Sequence, residues 1–289
     1  MRLAIIADIH GNIHALDAVL HDIEALGVDE VVVNGDLVNR NPNNVQVMER
    51  LAGRNYPTTL GNHDDLVRLW VERDPALPAA WFDDPFWGAT DWSARQLADA
   101  GWIDALRDLP MTYRVAPPGA PTVLISHGSP RHYREGYSWY LTNEVIEEIV
   151  TAYPADVLVG SHIHRPVERR CNGHVILNTG AVGAPFNSDA RAQYLLLTLT
   201  NNLWNWEFRA VPYDYEAALA AFEEMGYLAE GDLSAFIFYE ELRYARAIYA
   251  PYWSWSESND LPMNWTTWSE FYREFQPTLA PPHRASQTH

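Results

Sequence analysis

Residues 4–12 set the terms for the whole chain. A short apolar run, Ala4-Ile5-Ile6-Ala7, is followed at once by Asp8-Ile9-His10 and then by Gly11-Asn12. An apolar run of this length, ended by a turn, predicts a buried strand. Asp8 and His10 would lie at its C-terminal edge, where open α/β sheets place their ligands. Asp8 offers a hard oxygen and His10 a borderline nitrogen, and Gly11-Asn12 lets the backbone turn away into a helix. One carboxylate and one imidazole do not complete a site, so further ligands are expected elsewhere.

The rest of the first hundred residues follows an alternating rhythm. Ile13, Leu16, Val19, Leu20, Ile23 and Leu26 recur at helical spacing, and Gly27 is placed to stop that helix. Residues 30–34 predict a second buried strand closed by Gly35-Asp36. Val45, Met48 and Leu51 mark a short helix after Pro42, and residues 56–60 a third strand closed by Gly61-Asn62-His63-Asp64. Such an alternation implies right-handed crossovers and a largely parallel sheet.

Residues from about 66 to 110, rich in Trp, Pro, Asp and Ala, interrupt the rhythm and are read as a helical insert over or beside the strand ends. Strands return at 113–115 and 122–126, the second ending in His127-Gly128. A helix over 144–153 precedes a strand at 156–160 that leads into Ser161-His162-Ile163-His164. Hairpins are then expected at Asn172-Gly173 and Asn201-Asn202. Parallel crossovers followed by hairpins predict two mixed sheets packed face to face with helices outside. The expected fold class is therefore α/β, a four-layer α-β-β-α sandwich with a helical insert and a C-terminal helical extension. Residues 1–229 would form the main domain, and residues 230–289 an aromatic-rich extension that is not an independent domain. Within the extension a helix is expected after Asp232, then a Trp/Pro-rich segment over 251–262. A second helix would carry Trp268, Phe271, Tyr272 and Phe275 on one face, opened by a Thr267–Glu270 capping box, with disorder from Pro281 to His289.

Charge narrows the partners. Twenty basic residues against thirty-eight acidic ones give a formal net charge of -18. Such a surface repels a polynucleotide backbone, and no Lys/Arg cluster offsets it. Bound metal ions can nonetheless reverse the field locally and admit a small phosphate ester. No run approaches the roughly 20 apolar residues of a membrane span. Met1-Arg2-Leu3 leads into the first strand without a charged-then-apolar leader, and Cys171 is the single cysteine. A cytoplasmic location, a small phosphorylated substrate, and neither a nucleic-acid polymer nor a membrane as partner are the expectations. The aromatic C-terminus is compatible with a homodimer.

Gathered by strand end, the polar groups are Asp8 and His10; Asp36; Asn62 and His63; His127; and His162 and His164. Two cations about 3.5–4 Å apart clamp an in-line displacement at phosphorus and need a shared ligand. Asp36, alone at its strand end, suits that bridge. One metal could then take Asp8, His10 and one late histidine, and the other Asn62, His127 and the remaining one.

Asp8-Ile9-His10, Gly35-Asp36, Gly61-Asn62-His63-Asp64, Ser126-His127-Gly128 and His162-Ile163-His164 together resemble the five signature blocks of the calcineurin-like metallophosphoesterases, in family order. His127-Gly128-Ser129-Pro130-Arg131 and Asn178-Thr179-Gly180-Ala181-Val182-Gly183 are similar to segments of the bacterial branch of small phosphodiesterases and dinucleoside-polyphosphate hydrolases. The resemblance implies that Asp8, His10, Asp36 and His164 hold one metal, and that Asp36, Asn62, His127 and His162 hold the other. It implies a bridging hydroxide as nucleophile. His63 would be the general acid or a cationic stabiliser of the departing oxygen, a role suited to an imidazole titrating near neutrality. Arg40 matches a phosphate-contacting arginine in some relatives. The chain departs from the family pattern at Asn39, where the protein-phosphatase branch has Asp, at Asn41 for the usual Gly, and at Ser161 and Ile163 beside the paired histidines.

The expected activity is two-metal hydrolysis of small phosphate esters, of phosphodiester or nucleotide type. Mixed oxygen and nitrogen ligation suits Mn first, then Fe, Zn or Ni. Dinucleoside polyphosphate hydrolysis and phosphomonoesterase activity are the alternatives, and a metal-binding scaffold with an idle site is the reading of another class. His14, His21, His132, His174, His283 and His289 receive no role. Trp253, Trp255, Trp265 and Trp268 are read as packing of the appended helices, and Cys171 as inert.

Overall fold

The structure, a computed structural model, describes residues 1–284. In chain order it runs β1 (Arg2–Ile6), α1 (Ile13–Leu26), β2 (Glu30–Asn34), α2 (Asn44–Leu51), β3 (Thr58–Thr59), α3 (Asn62–Glu72), α4 (Gly88–Asp99) and α5 (Ile103–Arg107). There follow β4 (Thr112–Val115), β5 (Val123–Ser126), α6 (Asn143–Ala152), β6 (Val157–Gly160), β7 (Pro166–Cys171) and β8 (His174–Thr179). The chain closes with β9 (Ala192–Thr200), β10 (Leu203–Val211), α7 (Tyr215–Glu224), α8 (Tyr227–Tyr244), α9 (Tyr249–Ser258) and α10 (Trp265–Phe275).

Two five-stranded mixed sheets result, in the orders β10-β9-β1-β2-β3 and β4-β5-β6-β8-β7. In the first, β1, β2 and β3 are parallel and the β9–β10 hairpin runs antiparallel beside β1. In the second, β5, β6 and β8 are parallel, with β4 and β7 antiparallel at the edges. The last hairpin thus returns to the sheet that the chain began.

The continuous apolar runs are explained by burial on both faces. Leu3, Ile5 and Val32 of the first sheet meet Ile125, Val159 and Leu177 of the second in one cluster between the sheets. Ala4, Ile6, Val31 and Val33 face outward onto Leu16, Val19 and Ile23 of α1. On the opposite side Leu124, Leu158 and Ile176 pack against Ile146 and Ile149 of α6. Each such Leu or Ile contributes about 1.5–3 kcal/mol of burial. Asn12 caps α1 by accepting the Ala15 N–H, and Gly27 ends it in the left-handed conformation at φ 62°.

The C-terminal helices depart from expectation in several ways. The helix expected after Asp232 is the longer part of α8, and a further stretch of helix from Tyr227 precedes it, the two separated by a break at Asp232, where φ is 49°. The first turn of α8 is fixed by packing: Tyr227 is fully buried, and Gly231 crosses Gly88 of α4. A Cβ on Gly88 would sit 3.0 Å from the Gly231 carbonyl oxygen. The Trp/Pro-rich stretch is largely a helix, α9, because Pro251 falls in its first turn, where a missing N–H costs nothing. α10 is capped by Asn264 and Thr267 rather than by Thr267 and Glu270. Leu233, Tyr252, Trp268 and Phe271 join the same hydrophobic cluster as α1, α3 and α4. Pro281 to Arg284 are ordered where disorder was expected. The His283 N–H donates to the Ser188 carbonyl at 2.8 Å, and its own carbonyl accepts from the Ala190 N–H at 3.0 Å. The remainder of that expectation, and His289 with it, lies outside the described residues. The third strand shrinks to two residues. Among the described residues no helix is long and apolar enough to cross a membrane.

Candidate metal centre

Beyond its last paired residue, β1 continues beside the loop after β2. Asp8 N–H donates to the Gly35 carbonyl (3.1 Å), His10 N–H to that of Asp36 (3.0 Å) and Gly11 N–H to that of Leu37 (2.9 Å). Asp8, His10 and Asp36 are thereby fixed side by side with left-handed backbones, at φ 51°, 50° and 53°. Asn39 and Arg40 (both 70°), His162 (68°) and His164 (56°) share that conformation. Each costs roughly 1 kcal/mol or more for a residue with a Cβ, and such strain concentrates at functional sites. Asn41, which stands where the family usually has Gly, does not adopt it.

Two sets of side chains converge. Asp8, His10, Asp36 and His164 each offer a ligand atom within 4.8 Å of the others, and Asp36, His127 and His162 form a second set that shares Asp36. Asn62, the first residue of α3, places Oδ1 3.3 Å from His127 Nε2. The Asp36 Oδ2 atom lies 3.5 Å from His10 Nε2 and 3.3 Å from His127 Nε2, and Asp8 Oδ1 lies 3.4 Å from His164 Nε2. All the proposed ligand positions thus come together, while His14, His21, His132, His174 and His283 contribute no atom.

A supporting layer orients these groups. The Nδ1 atoms of His10, His127 and His164 face the carbonyls of Val38 (3.3 Å), Asn34 (2.8 Å) and Ala184 (2.5 Å). A carbonyl only accepts, so Nδ1 carries a proton and each Nε2 faces inward, with its lone pair free wherever the ring is neutral. Asp8 Oδ2 accepts the His162 N–H and Asp36 Oδ1 the His63 N–H. Their other oxygens, Asp8 Oδ1 and Asp36 Oδ2, are buried with no hydrogen-bond partner. Lone pairs of His10 and His164 lie 3.2 Å apart, beside these orphaned oxygens. Buried acceptors crowded together without donors are strongly unfavourable unless cations lie among them. This donor set fits divalent metal ions.

The electrostatics agree. Burial, opposed by His127 and reinforced by Asp36, holds the Asp8 carboxyl well above its usual range. Burial pushes His127 down, but Asp36 and Asp8 together outweigh it and carry the ring up to about 10. Burial holds His10 and His164 well below the usual range and takes His162 to about 3. Burial pushes Asp36 up, but His127, His63 and His10 hold it well below the usual carboxylate range, so a shortage of positive charge shows at Asp8 and His127.

His63 lies beside this cluster, its ring edge-on to His10 with centroids 4.9 Å apart. Asn39 Nδ2 is 3.1 Å from His63 Nδ1, and Asn39 Oδ1 accepts the Arg40 N–H at 2.9 Å. That second bond fixes the amide's orientation, so Nδ2 donates to Nδ1 and the ring's proton sits on Nε2. Titration near neutrality is not what the site provides. Burial takes His63 to about 3, with Asp36 pulling up and Arg40 pushing down.

Residues 1–166 match the family model for calcineurin-like phosphoesterases. The chain is a calcineurin-like phosphoesterase. It is accordingly a hydrolase of phosphoric ester bonds, with a cluster of Asp and His side chains that fits divalent metals. The phosphoesterase is similar to a solved metallophosphoesterase from Sphaerobacter thermophilus at 28% identity and a TM-score of 0.60, covering 80% of this chain and 99% of that one. It shares its fold with a hypothetical protein from Pyrococcus horikoshii at 18% identity and a TM-score of 0.65, over 82% and 97% of the two chains. Among curated sequences it is 25% identical over 232 residues to an uncharacterized protein of Methanocaldococcus jannaschii, spanning 75% of this chain and 89% of that protein.

Several supporting residues of the phosphoesterase carried no role in the sequence. Asp64 accepts the N–H groups of Asp36 (2.8 Å), Leu37 (2.8 Å) and Gly61 (3.1 Å). Gly61 has no room for a side chain, since a Cβ there would lie 2.1 Å from the Asp36 nitrogen. Ser161, a departure from the family pattern, joins Asn34 (2.7 Å) and Thr179 (3.0 Å) in a buried polar bridge between the sheets. Phe186 stacks on the His164 ring at 4.3 Å. Asp64 and Ser161 lie within or beside the motif blocks, which is the signal that could have found them; Phe186 has none.

Proposed function

We propose that this phosphoesterase is a two-metal hydrolase of small phosphodiesters and nucleotide-type phosphoesters. Asp8, His10, Asp36 and His164 would hold one cation, and Asp36, Asn62, His127 and His162 the other. The observation that carries this reading is the pair of orphaned carboxylate oxygens, Asp8 Oδ1 and Asp36 Oδ2, buried among inward-facing histidine nitrogens. Divalent cations there, Mn best suited to mixed oxygen and nitrogen donors, would supply Lewis acidity and an acidified water.

The chain's own residues do the rest. Asn39 occupies His63 Nδ1, so Nε2–H is the atom left to serve the departing oxygen as it gains charge. Arg40 would contact the phosphoryl group opposite that oxygen. Asn39 in place of a carboxylate, together with the acidic surface, favours small substrates over phosphoproteins. We assign residues 230–284 to the same unit as the main domain, since their apolar side chains share its core. A cytoplasmic location belongs to the same reading.

The test is hydrolysis of a chromogenic nitrophenyl phosphodiester by the full chain, dialysed against chelator and titrated with Mn²⁺. Activity that returns with about two equivalents supports the reading. A protein that binds two cations yet turns over none of a panel of diesters, monoesters and dinucleoside polyphosphates would point to an idle site.

A further inference from the structure

Arg40 and the C-terminal helices meet beside the metal centre. Its guanidinium ion-pairs through Nη1 with Glu241 of α8, a residue 201 positions away. The Arg40 side chain is 13% exposed and that of Glu241 only 3%. The guanidinium lies over the rings of Phe238 (4.9 Å), Phe186 (5.6 Å) and Tyr249 (6.0 Å). Glu241 is itself held. Its Oε1 accepts the Ile248 and Tyr249 N–H groups at 2.8 and 2.9 Å, leaving Oε2 for the arginine.

This arrangement uses only part of the guanidinium. Arg40 Nε is buried and has no hydrogen-bond partner. An arginine fork matches two oxygens of a phosphate, and its geometry is useful only when the fork is held still. The carboxylate and the aromatic rings do that holding, and Phe186 neighbours both Arg40 and the His164 ring on which it stacks. The Arg40 N–H is also bonded to Asn39, the residue that orients His63.

We propose that Glu241 is a positioning residue for Arg40: by clamping Nη1 it aims the remaining face of the guanidinium at the substrate's phosphoryl oxygens. The C-terminal extension is then a wall of the phosphate site. This rests on Arg40 being a phosphate contact, as above. A surface ion pair would be a weaker basis, because exposed pairs rarely fix geometry. Here one partner is almost wholly buried and bonded to the backbone, so its direction is set by the fold.

The experiment compares Arg40→Ala, Glu241→Gln and the double variant in the full, Mn²⁺-loaded chain, after circular dichroism and melting have shown each folded. Two quantities are read: the dissociation constant of inorganic phosphate by calorimetry, and the split between KM and kcat on a chromogenic diester. Arg40→Ala should weaken phosphate binding by about tenfold to a hundredfold, as for loss of a hydrogen bond to a charged group. Glu241→Gln keeps the backbone bonds but turns an amide on Nη1, and should weaken phosphate about tenfold with KM rising more than kcat falls. In the double variant the Gln substitution should add nothing beyond about twofold. Full additivity, or unchanged phosphate affinity in Glu241→Gln while Arg40→Ala weakens it, overturns the positioning role and leaves Arg40 as a contact. Unchanged affinity in Arg40→Ala overturns both. If the Gln variant does not fold, Glu241→Asp shortens the reach while keeping the charge; the same loss is expected, and unchanged affinity again overturns the role.

Discussion

Asn39 holds His63 by Nδ1 and not by Nε2: its Nδ2 donates to Nδ1 at 3.1 Å while its side-chain carbonyl takes the Arg40 N–H. One amide therefore sets both the tautomer of the histidine and the backbone of the arginine. In the proposed reaction a ring held this way would lend a hydrogen bond from Nε2 to the departing oxygen. His63→Ala should lower kcat on an alkyl phosphodiester by about 10²–10⁴-fold. The loss should be smaller on a nitrophenyl diester, whose leaving group needs less help. Rates on a series of leaving groups, with bound metal measured alongside, check this; equal losses across the series would remove His63 from the departing oxygen.

Asp36 is the residue common to both ligand sets, so its loss should be felt twice. Asp36→Asn keeps the shape and the acceptor for the His63 N–H but removes the charge. Metal content by elemental analysis should fall from about two cations per chain, the number such sites use, and activity should fall with it. Retention of both cations would mean that the bridge lies elsewhere.

The crossing of α4 and α8 leaves no room between Gly88 and Gly231. A Cβ on Gly231 would lie 3.1 Å from the Ala89 Cα and 2.6 Å from the Ala235 Cβ. Gly231→Ala should therefore destabilise the protein by about 1–3 kcal/mol through overpacking, despite the better helix propensity of Ala. Thermal melting would show a drop of several degrees, on the order of 2–4 °C per kcal/mol for a chain of this size. An unchanged melting temperature would mean that the helices separate freely.

On the outer face of the first sheet, Asp22 of α1 accepts from Arg209 (2.9 Å) and Tyr194 (2.7 Å). Burial raises its pKa, but those hydrogen bonds outweigh burial and leave it below the usual carboxylate value. A depressed folded-state pKa contributes stability above the unfolded value near 3.9, and that stability is lost as pH falls through the folded value. Denaturant melts from about pH 6 down to pH 3 should show a shallower decline for Asp22→Asn than for the parent. Parallel curves would remove this residue from the acid response.

Much of the site was legible because its chemistry is written beside the strands. Asp8, Asp36, His127 and His162 each follow a short apolar run that can only be buried, so ligand-type residues there had to collect at one rim. What was hidden depends on distance in the chain or on packing. A hairpin such as β9–β10 can join either sheet, and only the fit of Leu195 and Leu197 between the sheets decides that it lies beside β1. A stretch of helix precedes the break at Asp232 where Gly231 can approach Gly88, a fact of tertiary contact that no local signal announces. Glu241 was invisible for the same reason: nothing near position 241 says that its partner is Arg40.

Seven residues of the centre and its rim hold their side chains from left-handed backbone that a Cβ disfavours. An unfolded or loosened loop would relax out of that shape at once, so the surrounding sheets and helices must impose it continuously. Backbone and cations would therefore support the socket jointly, the scaffold by imposing its shape and the ions by relieving the crowded acceptors. Affinity for cations should decay whenever the scaffold is softened, even by a change far from any ligand.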